Sequence, residues 1–171
     1  MENEEYEFWL SGPIDGVPDL LQPAAHALLQ SERELKKYTA DFPKELFWAK
    51  TAGRASVGFH MNHMTGVLDR MLTYAKGESL SDEQFTFLKQ EGTFNLNTDV
   101  IYLQEQFSAK VEEAIGYFKT VPENSLTEDR TVGRKKLPTT VIGLLFHAAE
   151  HSQRHIGQLL VTVSILQADI S

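Results

Sequence analysis

Five of the six histidines fall into two tight groups. His147, His151 and His155 recur every four residues in a stretch ending Arg154-His155-Ile156-Gly157-Gln158, and His60 and His63 flank Met61-Asn62. On a helix, residues four apart have Cβ atoms about 5–6 Å from one another, so two such rings can converge on one cation. The alternative is a pair of core histidines hydrogen-bonded to carbonyls or carboxylates. Either way the nitrogens need partners, because a buried polar group left unpaired costs roughly 1–3 kcal/mol. H-x-x-x-H alone does not separate the two readings, so a ligand from a second stretch of chain has to decide.

The inventory narrows the chemistry. With no cysteine, disulfides, thiolate ligands and a cysteine nucleophile are all excluded, and any metal must use His, Asp or Glu. A formal charge of −8, with Glu2, Glu4, Glu5 and Glu7 at the start, disfavours nucleic acid and anionic membrane as partners. No basic-then-apolar leader and no run of about 18 apolar residues occurs, so a cytoplasmic protein is expected. Glycine-rich phosphate loops and G-x-S-x-G elbows are absent from the sequence. At 171 residues the chain is long enough for one domain, expected to span 1–171.

Four long amphipathic stretches must position the histidines. The last, Leu137 to Leu166, reads as a single helix whose core stripe holds Val141, Leu144, Leu145, Ala148, Leu159, Val163 and Leu166. His155 lies in that stripe, His151 on its flank, and His147 about 40° further out. Glu150 points roughly opposite the stripe. The second helix is expected from a Ser56 cap to about Lys76, ended by Gly77, with apolar Val57, Met61, Met64, Val67, Leu68, Met71, Leu72 and Ala75. By angle His60 is nearer the centre of its stripe than His63, and spacing does not say which would reach a metal.

The first helix spans Pro18 to about Tyr38, and His26 within it has no histidine at helical spacing, which makes it structural or exposed. Phe42-Pro43 breaks the pattern before a linking turn at Leu46, Phe47 and Trp48. Ser81-Asp82-Glu83-Gln84 is a capping box that opens a short extra helix. Asn95, Asn97 and Thr98 supply cap chemistry for the third long helix, Thr98 to Thr120, which carries no histidine and is expected to pack. Pro122 to Pro138 is the longest polar connection, with room for a short strand or a lid, though its mixed charges suit a solvated loop. Tyr6, Phe8 and Trp9 are expected to pack across the bundle or against a second subunit. The expected class is all-α: a four-helix bundle, up-and-down or crossover, with long linkers and a short extra helix.

The run Ser56-Val57-Gly58-Phe59-His60-Met61-Asn62-His63, with Leu68-Asp69-Arg70-Met71-Leu72-Thr73-Tyr74-Ala75-Lys76-Gly77-Glu78 after it, resembles helix two of the DinB-like family, also called the DinB/YfiT-like metalloenzymes. The stretch from His147 to Gln158 is similar to that family's last-helix motif, H-x-x-x-H followed by x-G-Q. The resemblance covers nearly the whole chain. It implies one divalent metal on three histidines, which map by motif position onto His63, His151 and His155. His60 and His147 are then extra histidines, candidates to support the triad or face a substrate.

Three imidazoles suit Zn, Ni, Fe or Co and leave a coordination position open, as catalytic sites do. Such a metal ionises a bound water or thiol. Related family branches use low-molecular-weight thiols, so the resemblance implies thiol S-transfer to a small electrophile, with metal-dependent hydrolysis second. No residue is an evident general base. The competing class is a non-catalytic metal-binding bundle, and a homodimer is a further expectation of the resemblance.

Overall fold

Caps and apolar stripes set the elements. In the computed structural model, which describes residues 6–95 and 98–168, the helices are α1 (Gln22–Tyr38), α2 (Val57–Ala75), α3 (Asp82–Gln90), α4 (Val100–Phe118) and α5 (Val141–Ala168). The Ser56 hydroxyl accepts from the Phe59 N–H and starts α2. At the start of α3, Ser81 and Gln84 complete a reciprocal capping box, as their spacing predicts. Gly77, at φ +80°, turns the chain out of α2 in the left-handed region that glycine tolerates.

Three boundaries differ from the sequence-based expectation. A 3-10 turn at Asp19–Leu21 precedes α1, so the regular helix begins at Gln22 rather than Pro18. Asp99, not Asn95 or Thr98, caps α4 by accepting from the Tyr102 N–H, while Asn97 lies outside the described residues. Most consequential, Leu137–Thr140 is not the first turn of the last helix. These residues form β2, paired antiparallel with β1 (Asp129–Val132), with Asp129 opposite Thr140 and Val132 opposite Leu137. Pro138 holds Leu137 out of the α region, and the β-branched Thr139 and Thr140 favour extension. Thr140 then accepts from the Gly143 N–H, so α5 starts at Val141. The short strand, one option for the long connection, is thus β1.

The architecture is all-α with one small hairpin. Helix α5 lies against α1 and α2, and α4 packs on those same two helices from the other side. One buried apolar cluster runs from Val17 to Leu166 through Leu28, Met61, Leu68, Phe107 and Leu145. Each of these large side chains, taken out of water, contributes roughly 1.5–3 kcal/mol. The hairpin clips the end of α2, where Arg130 Nε donates to the Ala75 carbonyl at 2.9 Å. The linking turn, a 3-10 helix at Lys44–Leu46, seats Phe47 and Trp48 on the start of α2. Gly58 permits that approach: a Cβ there would stand 3.0 Å from the Trp48 ring. No helix among the described residues is long and apolar enough to cross a membrane.

Candidate metal centre

Helices α2 and α5 share the broadest helix–helix contact, and both histidine groups lie on it. Each ring arrives by helical periodicity, His60 and His63 one turn apart on α2, and His151 and His155 one turn apart on α5. His63, His151 and His155 each offer a ligand nitrogen within 4.8 Å of the other two. Ring centroids of His63 and His155 stand 4.6 Å apart, those of His151 and His155 also 4.6 Å, and those of His63 and His151 5.2 Å. The rings of the resemblance-derived triad therefore converge.

His60 and His147 sit beside this cluster in different ways. Only 2% exposed, His60 places its Nδ1 2.8 Å from Nδ1 of His155. The His147 side chain is 44% exposed, and its Nδ1 meets Glu150 Oε1 at 2.7 Å. Glu150 also takes Arg154 at 2.6 Å, so its carboxylate faces the outer side of α5, as its angle predicts. His147, Glu150 and His151 form a second, more open group of ligand atoms. His26 is apart from all of these, its Nε2 2.9 Å from the Gly12 carbonyl.

Burial favours the neutral form of His60, His151 and His155. It pushes His60 down to about 4, with the neighbouring His63 adding to the effect. Desolvation likewise lowers His151 to about 4 and His155 to about 3, helped by the surrounding imidazoles and Arg154. Neutral imidazole is the metal-binding form. The hydrogen-bond pattern also fits a cation. His63 Nε2 and His151 Nε2 face each other at 3.0 Å, near the roughly 3.3 Å expected for two nitrogens bound tetrahedrally to zinc at about 2.0–2.1 Å. Meanwhile His151 Nδ1 is buried with no hydrogen-bond partner among the described residues, and it stays unpaired when Nε2 is the ligand atom.

The partners of His63 were not foreseen from the sequence. Its Nδ1 meets Glu91 Oε2 at 2.7 Å, and the other carboxylate oxygen accepts from Arg70 Nη1 at 2.6 Å. Glu91 follows α3 directly and is 3% exposed. One signal for this network was present: His63, Gly66 and Arg70 stand at i, i+3 and i+7, a single stripe of α2 holding a charge and a gap among Val67, Leu68 and Met71. Phe59 stacks on His63 from one turn earlier, with ring centroids 5.1 Å apart.

A largely helical fold carrying an interhelical three-histidine cluster defines a class of small helical proteins with a site that could hold a metal ion. The sequence model of the DinB superfamily matches residues 27–159, from the middle of α1 to beyond the histidines of α5, and the chain belongs to that superfamily. No curated protein matches the chain.

Proposed function

We propose that this chain is a DinB/YfiT-like four-helix bundle whose His63, His151 and His155 hold one divalent transition metal for thiol S-transfer. The observation that carries the reading is the convergence of three imidazoles from α2 and α5 without a fourth protein ligand in their group, among the described residues. Held in this way, zinc, nickel, iron or cobalt would ionise a low-molecular-weight thiol in the remaining position.

The chain's own residues support each part of that chemistry. Burial favours the neutral, metal-binding form of His151 and His155. When His155 uses Nε2 as its ligand atom, its Nδ1–H donates to His60 Nδ1, which leaves the His60 proton on Nε2. That ring lines a groove of about 720 Å³ with Arg54, Arg154 and Gln158, where a polar substrate can be received. We therefore keep His60 at this groove, and His147 beside His151 on the more open side of the cluster, as the substrate-facing histidines. In the reaction a C–S bond forms at the electrophile, its leaving group departs with the bonding electrons, and the thiol proton passes to water.

We place the protein in the cytoplasm as a homodimer. Phe8 stacks under Arg33 of α1, at 4.7 Å, while Tyr6 and Trp9 are left 65% and 64% exposed, available to a second copy.

The test is loss of free thiol on adding a chloro-nitrobenzene to metal-loaded protein. Chloride release in step with thiol loss, abolished by chelation and by His151→Ala, is the expected result. Thiol loss equal to the uncatalysed rate, with the metal bound, contradicts it. Ester cleavage instead of thiol loss selects the hydrolase, and neither activity selects a non-catalytic metal protein.

A further inference from the structure

We propose that Glu91 is the positioning residue of the metal centre: clamped by Arg70 in a niche that Gly66 leaves open, it fixes the tautomer of His63 and aims Nε2 at the cation. This deepens the metal-binding reading above and rests on it.

A carboxylate almost never lies this deep without a partner that needs it. Both oxygens of Glu91 are used, one by Arg70 and one by His63, and its backbone carbonyl accepts from Asn62 Nδ2 at 3.3 Å. Since a carboxylate only accepts, the His63 proton belongs on Nδ1; the opposite tautomer would set a lone pair against an oxygen 2.7 Å away. Nε2 is then bare, on the side where His151 Nε2 lies 3.0 Å off. Carboxylate partners of metal-bound imidazoles orient the ring and raise its basicity.

The niche is built for this group. A Cβ on Gly66 would overlap Glu91 Oε1 and lie 2.7 Å from Arg70 Nη1 and 2.8 Å from Phe87 Cε1. The short helix α3 thereby gains a role at the centre, since its end delivers Glu91 to His63 across 28 residues of sequence.

The experiment reads the His63 ring nitrogens by long-range proton–nitrogen NMR in metal-free protein, and Zn²⁺ affinity by competition with a chromophoric chelator. E91Q keeps the shape but accepts through one oxygen only, so it cannot serve both Arg70 and His63. R70M/E91M removes both halves of the ion pair at similar volume, a replacement that a merely structural pair tolerates; E91Q carries the test should that variant fail to fold. The wild type is expected to show the Nδ1–H tautomer, and both variants to lose it and bind Zn²⁺ about 10–100-fold more weakly. An Nε2–H tautomer in the wild type, or either variant folded and binding as tightly as wild type, overturns the assignment. Absence of zinc uptake by the wild type defeats the metal reading itself, and the tautomer, read without metal, still decides the part played by Glu91.

Discussion

Gly66→Ala sets two effects of opposite sign against each other. In an unobstructed helix interior the change stabilises by about 0.8–1.0 kcal/mol. Gly116 of α4 is such a place, since a Cβ there meets nothing within 4 Å. At position 66 the methyl group collides with Glu91, Arg70 and Phe87, and the first two are buried and bonded to one another, unable to swing aside. Displacing the carboxylate weakens bonds now 2.6 Å and 2.7 Å long. A hydrogen bond to a charged group contributes about 1.5–3 kcal/mol, so losing one or both outweighs the helix gain and leaves a net cost of about 0.5–5 kcal/mol. Urea unfolding of metal-free protein followed by circular dichroism measures it, provided the slope is unchanged. Gly116→Ala should raise the midpoint and Gly66→Ala lower it. A midpoint that rises for both refutes the claim that Gly66 makes room for Glu91.

Other outcomes follow from the same geometry. His63→Ala, His151→Ala and His155→Ala should each abolish or strongly weaken zinc binding in equilibrium dialysis, whereas His26→Ala leaves it unchanged. Metal-free stability should fall on acidification: His60 and His155 protonate near 6.5 when unfolded but only at about 4 and about 3 when folded. Above pH 6.5 both states are neutral at these rings, and below it the unfolded state takes up protons the folded state refuses. Each ring then removes roughly 1.4 kcal/mol per pH unit until its folded value is reached, measurable by urea titration between pH 7 and 5. The loss should shrink in His155→Asn, and a profile as steep in that variant as in the wild type counts against the buried-neutral assignment. Ser56→Ala should cost about 0.5–2 kcal/mol through the lost cap of α2, read by the same unfolding assay.

Much of the scaffold was readable because it is local. The stripes of α2, α4 and α5, the Ser56 cap and the Ser81–Gln84 box all depend on residues a turn or two apart. Leu137–Thr140 misled because four residues directly ahead of a long helical pattern are too few for periodicity to separate a strand from a first helical turn. Its hydrogen-bonding partner, Asp129–Val132, showed no alternation strong enough to announce it. Angles on α2 correctly made His60 the more buried ring, but they carry no information about where α5 lies. The lateral placement of α5 makes His63 a member of the cluster and leaves His60 behind His155. Glu91 was invisible for the same reason: its bonds to His63 and Arg70 close loops of more than twenty residues and obey no period.

The central claim is that three imidazoles from two helices close on one ion. X-ray absorption on protein purified without an affinity tag and loaded with zinc tests it most directly, with metal content measured on the same sample. The account predicts one ion per chain in a shell of three imidazole nitrogens, reduced when His63 is replaced by Ala. A chain that takes up no metal, or an imidazole shell unchanged in His63→Ala, would contradict it.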